Sequence, residues 1–195
     1  MSGENRKSSV LLIGKSQLVL DATIASLRDL GYIAQATNDF AQVTGRFDAR
    51  TLDLVVFGGQ VPPDRKAELR EEIGRINPRV IFVQGLAGIP GLIVSQVQAA
   101  FAADHQGLTR APIYTPGDRS IRLTLAGPAD VKATAWWQTS SVSPDPTSDS
   151  LLLVDERRAA GEHVIPVPDL VPPRAAFATV QVDAAIYTLS IATET

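Results

Sequence analysis

Residues 10–14, VLLIG, decide the fold of this chain. Branched apolar residues that end at a glycine are typical of a central strand in a parallel sheet, which is buried on both faces. The segment 17–30 follows at once, and its residues Leu20, Ile24 and Leu27 recur at helical spacing. The stretch therefore predicts a buried strand that leads directly into an amphipathic helix.

The same alternation of strand and helix continues to about residue 104. The predicted strands are short and apolar, and the predicted helices carry a narrow apolar stripe. Further strands are predicted at 32–37, 52–57 and 80–83, and further helices at 64–76 and 92–101. Elements of this order and length predict an α/β domain built on a doubly wound parallel sheet.

Three stretches carry a family resemblance: VLLIGKSQLVLDATIASLRDLGYIAQATND, LDLVVFGGQVP and RVIFVQG. Together they resemble the receiver domain of two-component response regulators, with a Gly-Tyr turn after the first helix and a proline after the third strand. The resemblance covers roughly residues 10–85. It implies a flavodoxin-like domain, which we assign to residues 8–104.

The positions that carry receiver chemistry are altered in this chain. In a working receiver, an acidic pair follows the first strand, the phosphate-accepting aspartate ends the third, and a Ser or Thr follows the fourth. Here those positions hold Gly14-Lys15, Gly58 and Gln84, and no fifth strand with its lysine is recognisable. Carboxylates are needed for a magnesium site and for an acyl phosphate. The resemblance therefore implies a degenerate pseudo-receiver, without metal, cofactor or phosphorylation.

Helical spacing disappears in the second half of the chain. Apolar residues alternate with polar ones at 121–125 and 131–137, as in half-buried strands. Other short strands are predicted near 112–114 and at 151–154, 163–167, 177–183 and 186–192. About seven short strands predict a small antiparallel β-sandwich, immunoglobulin-like in shape, over residues 111–195. We place the domain boundary in the polar stretch 102–110 and a loop at 139–149.

Two adjacent tryptophans mark a candidate contact surface on this sandwich. Neighbouring residues of a strand point to opposite faces, so one tryptophan should lie in the core and the other outside. The alternation assigns the outward position to Trp136, beside Lys132. Exposed aromatic side chains are typical of interface anchors. We therefore expect Trp136 and Lys132 to form an interface, and the alternative is that a loop or the first domain covers Trp136.

Composition excludes several classes of function. The chain has 18 basic and 21 acidic residues, and neither half carries the basic excess that nucleic-acid binding needs. No apolar run approaches the roughly 18 residues of a membrane span, and the N-terminus lacks the apolar core of a signal peptide. The chain contains no cysteine, which agrees with a reducing compartment. We expect a cytoplasmic protein that binds neither nucleic acid nor membrane.

A crevice at the carboxyl ends of the parallel strands is the candidate ligand site. Open α/β sheets bind ligands there, beside a helix N-terminus. Lys15, Ser16, Gly58 and Gly59 would line the crevice, and a small anion is the ligand that we consider. A nucleotide triphosphate loop is not expected, because its motif needs a glycine where Ser9 stands. The alternative is that Ser16 caps the first helix and Lys15 is a solvated side chain.

Other catalytic or metal-binding signatures are missing from the sequence. Asp39 follows the second strand as a ribose-binding acid would, but the glycine fingerprint is absent, and we interpret Asp39 as a helix cap. His105 and His163 have no partner at ligand spacing, so we assign them structural or surface roles. We therefore do not expect an enzyme.

Two functions remain as hypotheses. The first is a non-catalytic signalling or assembly adaptor that acts through protein–protein contacts with a partner or as a homodimer. The second is a sensor of a small ligand or anion, or a cryptic enzyme, that uses the crevice at the strand ends.

Overall fold

The computed structural model describes residues 7–102, 108–140, 146–174 and 176–192. It contains a four-stranded parallel sheet with helices, followed by two antiparallel sheets. The chain divides into two compact units, Met1–Val97 with Val142–Pro146 and Gln98–Ser141 with Thr147–Thr195. The predicted boundary at 102–110 lies partly outside the described residues, and the division in the structure falls within the last helix of the first half. Within the described ranges, no helix has the length and apolarity to cross a bilayer.

The first unit alternates strands and helices as the apolar spacing predicts. Its elements are β1 (Ser9–Ile13), α1 (Gln17–Asp29), β2 (Ile33–Thr37), α2 (Val43–Arg46), a 3-10 turn (Ala49–Thr51), β3 (Leu54–Phe57), α3 (Pro63–Ile76), β4 (Ile81–Gln84) and the first part of α4 (Pro90–Phe101). The strand order is β2-β1-β3-β4, and every pair is parallel. Every residue of β1 and β3 is buried, which confirms that they are central strands.

The parallel sheet is buried on both faces. On one face, Val55 and Phe57 pack in a cluster with Leu69 and Ile73 of α3. On the other face, Val56 is 2% exposed. Gly85, just after β4, is closely packed, because a Cβ there would lie 3.2 Å from Val56 Cγ1 and 3.5 Å from Ile93 Cγ1 of α4. The helix α4 therefore packs against the face opposite to α3.

Local signals at the helix ends account for most of the first unit. Ser16 Oγ accepts a hydrogen bond from Val19 N at 3.3 Å, which confirms the predicted cap of α1. Gly31 has φ +91°, the left-handed conformation that lets the chain leave the helix. Asp39 differs from its interpretation as a helix cap. Its carboxylate accepts from Ala41 N in a local turn, and the four-residue α2 starts later, after Gln42.

The second unit consists of two antiparallel sheets that share one apolar core. Its strands are β5 (Leu108–Thr115), β6 (Ser120–Leu125), β7 (Ala129–Ser140), β8 (Thr147–Arg158), β9 (Gly161–Pro166), β10 (Ala176–Val182) and β11 (Ala185–Ser190). The orders are β11-β10-β7-β8 and β5-β6-β9. Side chains of both sheets, including Ile121, Ile165, Val131 and Val180, form one buried cluster.

Three strands of the second unit, β5, β7 and β8, are much longer than the apolar pattern predicts. β5 begins at Leu108, ahead of the short strand predicted near 112–114 and of the predicted domain start at residue 111. β7 and β8 have 12 residues each and form a hairpin whose ladder extends to the pair Ser140 and Thr147. The predicted loop at 139–149 is therefore shorter, and its positions 141–145 lie outside the described residues.

The substitution Leu69→Ala tests the packing of α3 on the parallel sheet. Leu69 is fully buried, so the variant should lose about 2–5 kcal/mol of unfolding free energy through lost contacts and a cavity. Ile76→Ala is the matched control, because Ile76 lies on the same helix and is 45% exposed. Urea unfolding followed by circular dichroism measures both, and equal losses would contradict this packing.

Candidate functional site

The predicted crevice residues lie at the carboxyl-terminal end of the parallel sheet, where β1, β3 and β4 end. Backbone hydrogen bonds tie these ends together. Gly58 N donates to Ile13 O at 2.8 Å, Gly14 N donates to Thr37 O at 3.1 Å, and Gly85 N donates to Phe57 O at 2.9 Å. Each chain segment therefore leaves the sheet immediately beside its neighbour.

Position 58, just after β3, leaves little room for a side chain. A Cβ at Gly58 would lie 3.3 Å from Gly14 Cα and 3.4 Å from Ile13 O. Both atoms belong to the backbone of the buried strand region and have little freedom to move. A side chain at this position would therefore require the neighbouring backbone to shift by a few tenths of an ångström.

The side-chain carboxamide of Gln84, at the end of β4, hydrogen-bonds to neighbouring groups of the protein. Gln84 Nε2 donates to Phe57 O at 2.9 Å and to Gly85 O at 3.1 Å. Gln84 Oε1 accepts from Lys66 Nζ of α3 at 3.0 Å. A neutral amide thus lies at the end of β4, and it binds the protein's own groups.

The four predicted crevice residues have different environments. Ser16 is buried and its hydroxyl caps α1, so it serves the helix itself. Lys15 and Gly59 are exposed, and a Cβ at Gly59 would meet nothing within 4 Å. The structure therefore brings the four residues to the same end of the sheet, where Lys15 and Gly59 are exposed, Gly58 is half-buried and Ser16 is buried.

The pair Gly58→Ala and Gly59→Ala tests the closure at the strand ends. Alanine at 58 should cost about 1–2 kcal/mol of unfolding free energy, because the backbone of two segments must shift. Alanine at 59 should change stability by less than about 1 kcal/mol, because its methyl group enters open space. Denaturant titration of both variants measures the difference, and a Gly58→Ala protein as stable as the parent would contradict it.

The two tryptophans occupy opposite faces of β7. Trp137 is 7% exposed and belongs to the core shared by the two sheets. Trp136 is half-buried on the outer face, opposite Phe177 of β10. Its indole Nε1 donates to Thr179 Oγ1 at 2.9 Å, so the ring leans across the neighbouring strand. The interface role predicted for Trp136 stays a prediction.

Lys132 lies on the same outer face as Trp136, four residues earlier on β7. Its Nζ is 3.4 Å from Asp155 Oδ2 of β8, and both side chains are about half exposed. An exposed pair of this kind contributes little to stability and leaves both charges accessible. Leu152 of β8, 53% exposed, adds an apolar side chain to this face.

A shallow groove that the sequence does not predict lies on the outer face of the sheet β5-β6-β9. The groove has a volume of about 410 Å³, and among its lining residues are Arg110, Ile113, Arg122, Glu162 and Val164. These residues come from three strands, and two register shifts in the pairing of β5 with β6 set their alignment. No local sequence pattern marks such an assembly.

One of the two arginines of this groove already has a partner. Asp118, in the turn before β6, accepts a hydrogen bond from Ser120 Oγ at 2.7 Å and contacts the Arg122 guanidinium. Ser120 first and then Arg122 hold the pKa of the Asp118 carboxyl below its usual value. The positive charge of Arg122 in the groove is therefore partly offset.

The histidines form no metal site in the described residues. His163 Nε2 lies 2.7 Å from Ala159 O, a local contact at the start of β9. His105 falls outside the described residues. Within those residues, no group of three or more His, Cys, Asp or Glu side chains is placed to hold a metal ion.

Trp136→Ala and Trp137→Ala form a matched pair, since the same side chain is removed from adjacent positions. Trp137→Ala should cost about 3–5 kcal/mol of unfolding free energy, because it leaves a cavity in the core of the second unit. Trp136→Ala should cost about 1–2 kcal/mol, the loss of partial burial and one hydrogen bond. Thermal and urea unfolding measure both, and similar costs would contradict the assignment of the two faces.

Comparison with known proteins gives no family. No family model matches this chain, and no curated protein matches it. Solved structures that are similar include a β-glucosidase from Erythrobacter marinus (8% identity, TM-score 0.35, 94% of this chain and 46% of that chain). A putative GMP synthase protein from Thermoplasma acidophilum gives 13% identity and a TM-score of 0.27 over 94% of this chain and 83% of that chain. The chain thus spans about half the length of the glucosidase, and likenesses this low carry no argument about function.

Proposed function

We propose that this chain is a non-catalytic signalling or assembly adaptor. In this proposal a pseudo-receiver unit and an immunoglobulin-like unit act through protein–protein contacts, with a partner protein or as a homodimer. The observation that carries the proposal is that β3 is followed by Gly58, which offers no acceptor carboxylate and whose Cβ would lie only 3.3 Å from Gly14 Cα. The bonds of Gln84 to its neighbours and to Lys66 support it at the end of β4.

The strand order supports the pseudo-receiver part of the proposal. Flavodoxin-like sheets have the order 2-1-3-4-5, and the parallel sheet here has the order of their first four strands, β2-β1-β3-β4. For the second unit, two antiparallel sheets around a shared core support an immunoglobulin-like module. Modules of both kinds bind partners through side chains on their outer surfaces, which is the role we assign to them here.

The alternative proposal is a sensor that binds a small anion at the strand-end crevice. Its support is the exposed side chain of Lys15 beside the first turn of α1. The adaptor is favoured because Ser16 and Gln84, which would otherwise offer polar groups to a ligand, hydrogen-bond within the protein.

Incubation with acetyl phosphate and magnesium tests whether the receiver chemistry is lost. The intact mass should stay unchanged, because position 58 offers no carboxylate and no acidic pair follows β1. A receiver domain with its complete acidic set, treated in parallel, provides the positive control. A stoichiometric phosphoryl adduct, or a thermal shift with beryllofluoride, would overturn the adaptor proposal.

A further inference from the structure

β4 is one of the two edge strands of the parallel sheet, and no described strand pairs with its outer side. β4 pairs with β3 alone among the described residues. Ile81 N and Gly85 N donate to carbonyls of the β3 segment, so the alternate residues Phe82 and Gln84 point their N–H groups away from the sheet. Those two N–H groups have no hydrogen bond within the described part of the chain. An unpaired edge of this kind is a template for another strand.

At one end of the β4 edge, the side-chain amide of Gln96 makes the hydrogen bonds that an adjacent strand would make. Gln96 of α4 donates from Nε2 to Gln84 O at 3.0 Å and accepts from Leu86 N through Oε1 at 3.1 Å. A residue of an adjacent parallel strand would make the same two bonds, to the carbonyl of one residue and the N–H two residues later. The β4 edge therefore has the hydrogen-bonding geometry for strand pairing. Gln96 already makes the bonds at Gln84 O and Leu86 N.

The α3 side of this edge is basic. Lys66 Nζ bonds Gln84, and the Arg70 guanidinium lies 5.1 Å from the Phe82 ring centroid and 5.2 Å from that of Phe57. The acidic side chains Glu68 and Glu72 lie on the other flank of α3, where Arg65 binds them. Gly74 lies one turn after Arg70 on the flank of α3 that faces β4, and a Cβ there would meet nothing within 4 Å.

The opposite side of the edge is apolar. Alternation along β4 turns Ile81 and Val83 to the face away from α3, and Ile81 is 38% exposed. A strand laid along β4 would thus meet positive charge on one face and hydrocarbon on the other. The matching sequence alternates acidic and apolar residues.

We propose that the open edge of β4 binds an extended acidic–apolar segment of a partner protein, which adds a fifth strand to the parallel sheet. Backbone bonds to Phe82 and Gln84 would supply the affinity, and Lys66 and Arg70 would select acidic side chains. This inference rests on the proposed adaptor function and names the chemistry of its partner.

A fluorescein-labelled peptide of about six residues in which Glu and Val alternate, matched to strand length, serves as the probe. It should bind the full chain saturably in fluorescence anisotropy. The double variant Lys66→Glu/Arg70→Glu should weaken binding at least about tenfold and should favour a Lys-Val peptide instead. Arg75→Glu, the same charge change in the last turn of α3, should leave affinity unchanged. Thermal unfolding shows whether each variant is folded.

Amide hydrogen exchange identifies where the peptide binds. In the free protein the amides of Phe82 and Gln84 should exchange faster than that of Val83, which faces β3. The Glu-Val peptide should slow the first two and leave Val83 unchanged, and a peptide N-methylated along its backbone should slow neither.

Three results would overturn the proposed docking edge. The first is that the Glu-Val peptide does not bind, and the second is that it binds without slowing exchange at Phe82 and Gln84. The third is that, without peptide, exchange at these two amides slows as the protein concentration rises. That result would assign the edge to a second copy of the chain. None of these results contradicts the adaptor proposal. That proposal is overturned by phosphorylation with acetyl phosphate, which is measured separately.

Discussion

The close approach of β1 and β3 is the constraint on which the first unit depends. Both strands are buried along their whole length, and their ends meet where Gly58 N bonds Ile13 O. The two glycines that follow, Gly14 and Gly58, let the backbones pass within contact distance. The same packing leaves little room for a side chain at position 58, because a Cβ there would lie 3.3 Å from Gly14 Cα. The buried centre of the sheet therefore restricts which residues can follow β3.

Neutral amides satisfy the polar groups that this arrangement leaves exposed. Gln84 bonds the end of β3, and Gln96 bonds the edge of β4. Asn77, after α3, donates to Ala49 O at 3.0 Å and to Leu52 O at 2.7 Å. An amide supplies a donor and an acceptor without the desolvation cost of a charge. Amide side chains thus satisfy backbone groups at the strand ends and connections of this unit.

The sequence predicts the elements of the first unit well because their apolar residues follow helical or strand periodicity. It predicts poorly where tertiary contacts decide. The β7–β8 ladder continues through polar pairs such as Ser140 with Thr147, which carry no apolar alternation. At the candidate site, the glycines and Lys15 were placed at the strand ends by topology alone. The bonds of Gln84 to Lys66 and of Gln96 to β4 join residues 18 and 12 positions apart, and no local pattern signals them.

Charge at the β4 edge acts on specificity as much as on affinity. An open, uncharged edge would pair with any extended chain, including another copy of itself, and natural sheets commonly guard their edges with basic side chains. Lys66 and Arg70 provide that protection here. The Arg70 guanidinium lies over two aromatic rings, a contact that favours its position beside the β4 edge. Two β4 edges brought together would juxtapose these cations, whereas an acidic strand would neutralise them. One pair of side chains can therefore disfavour self-association and favour a partner of opposite charge.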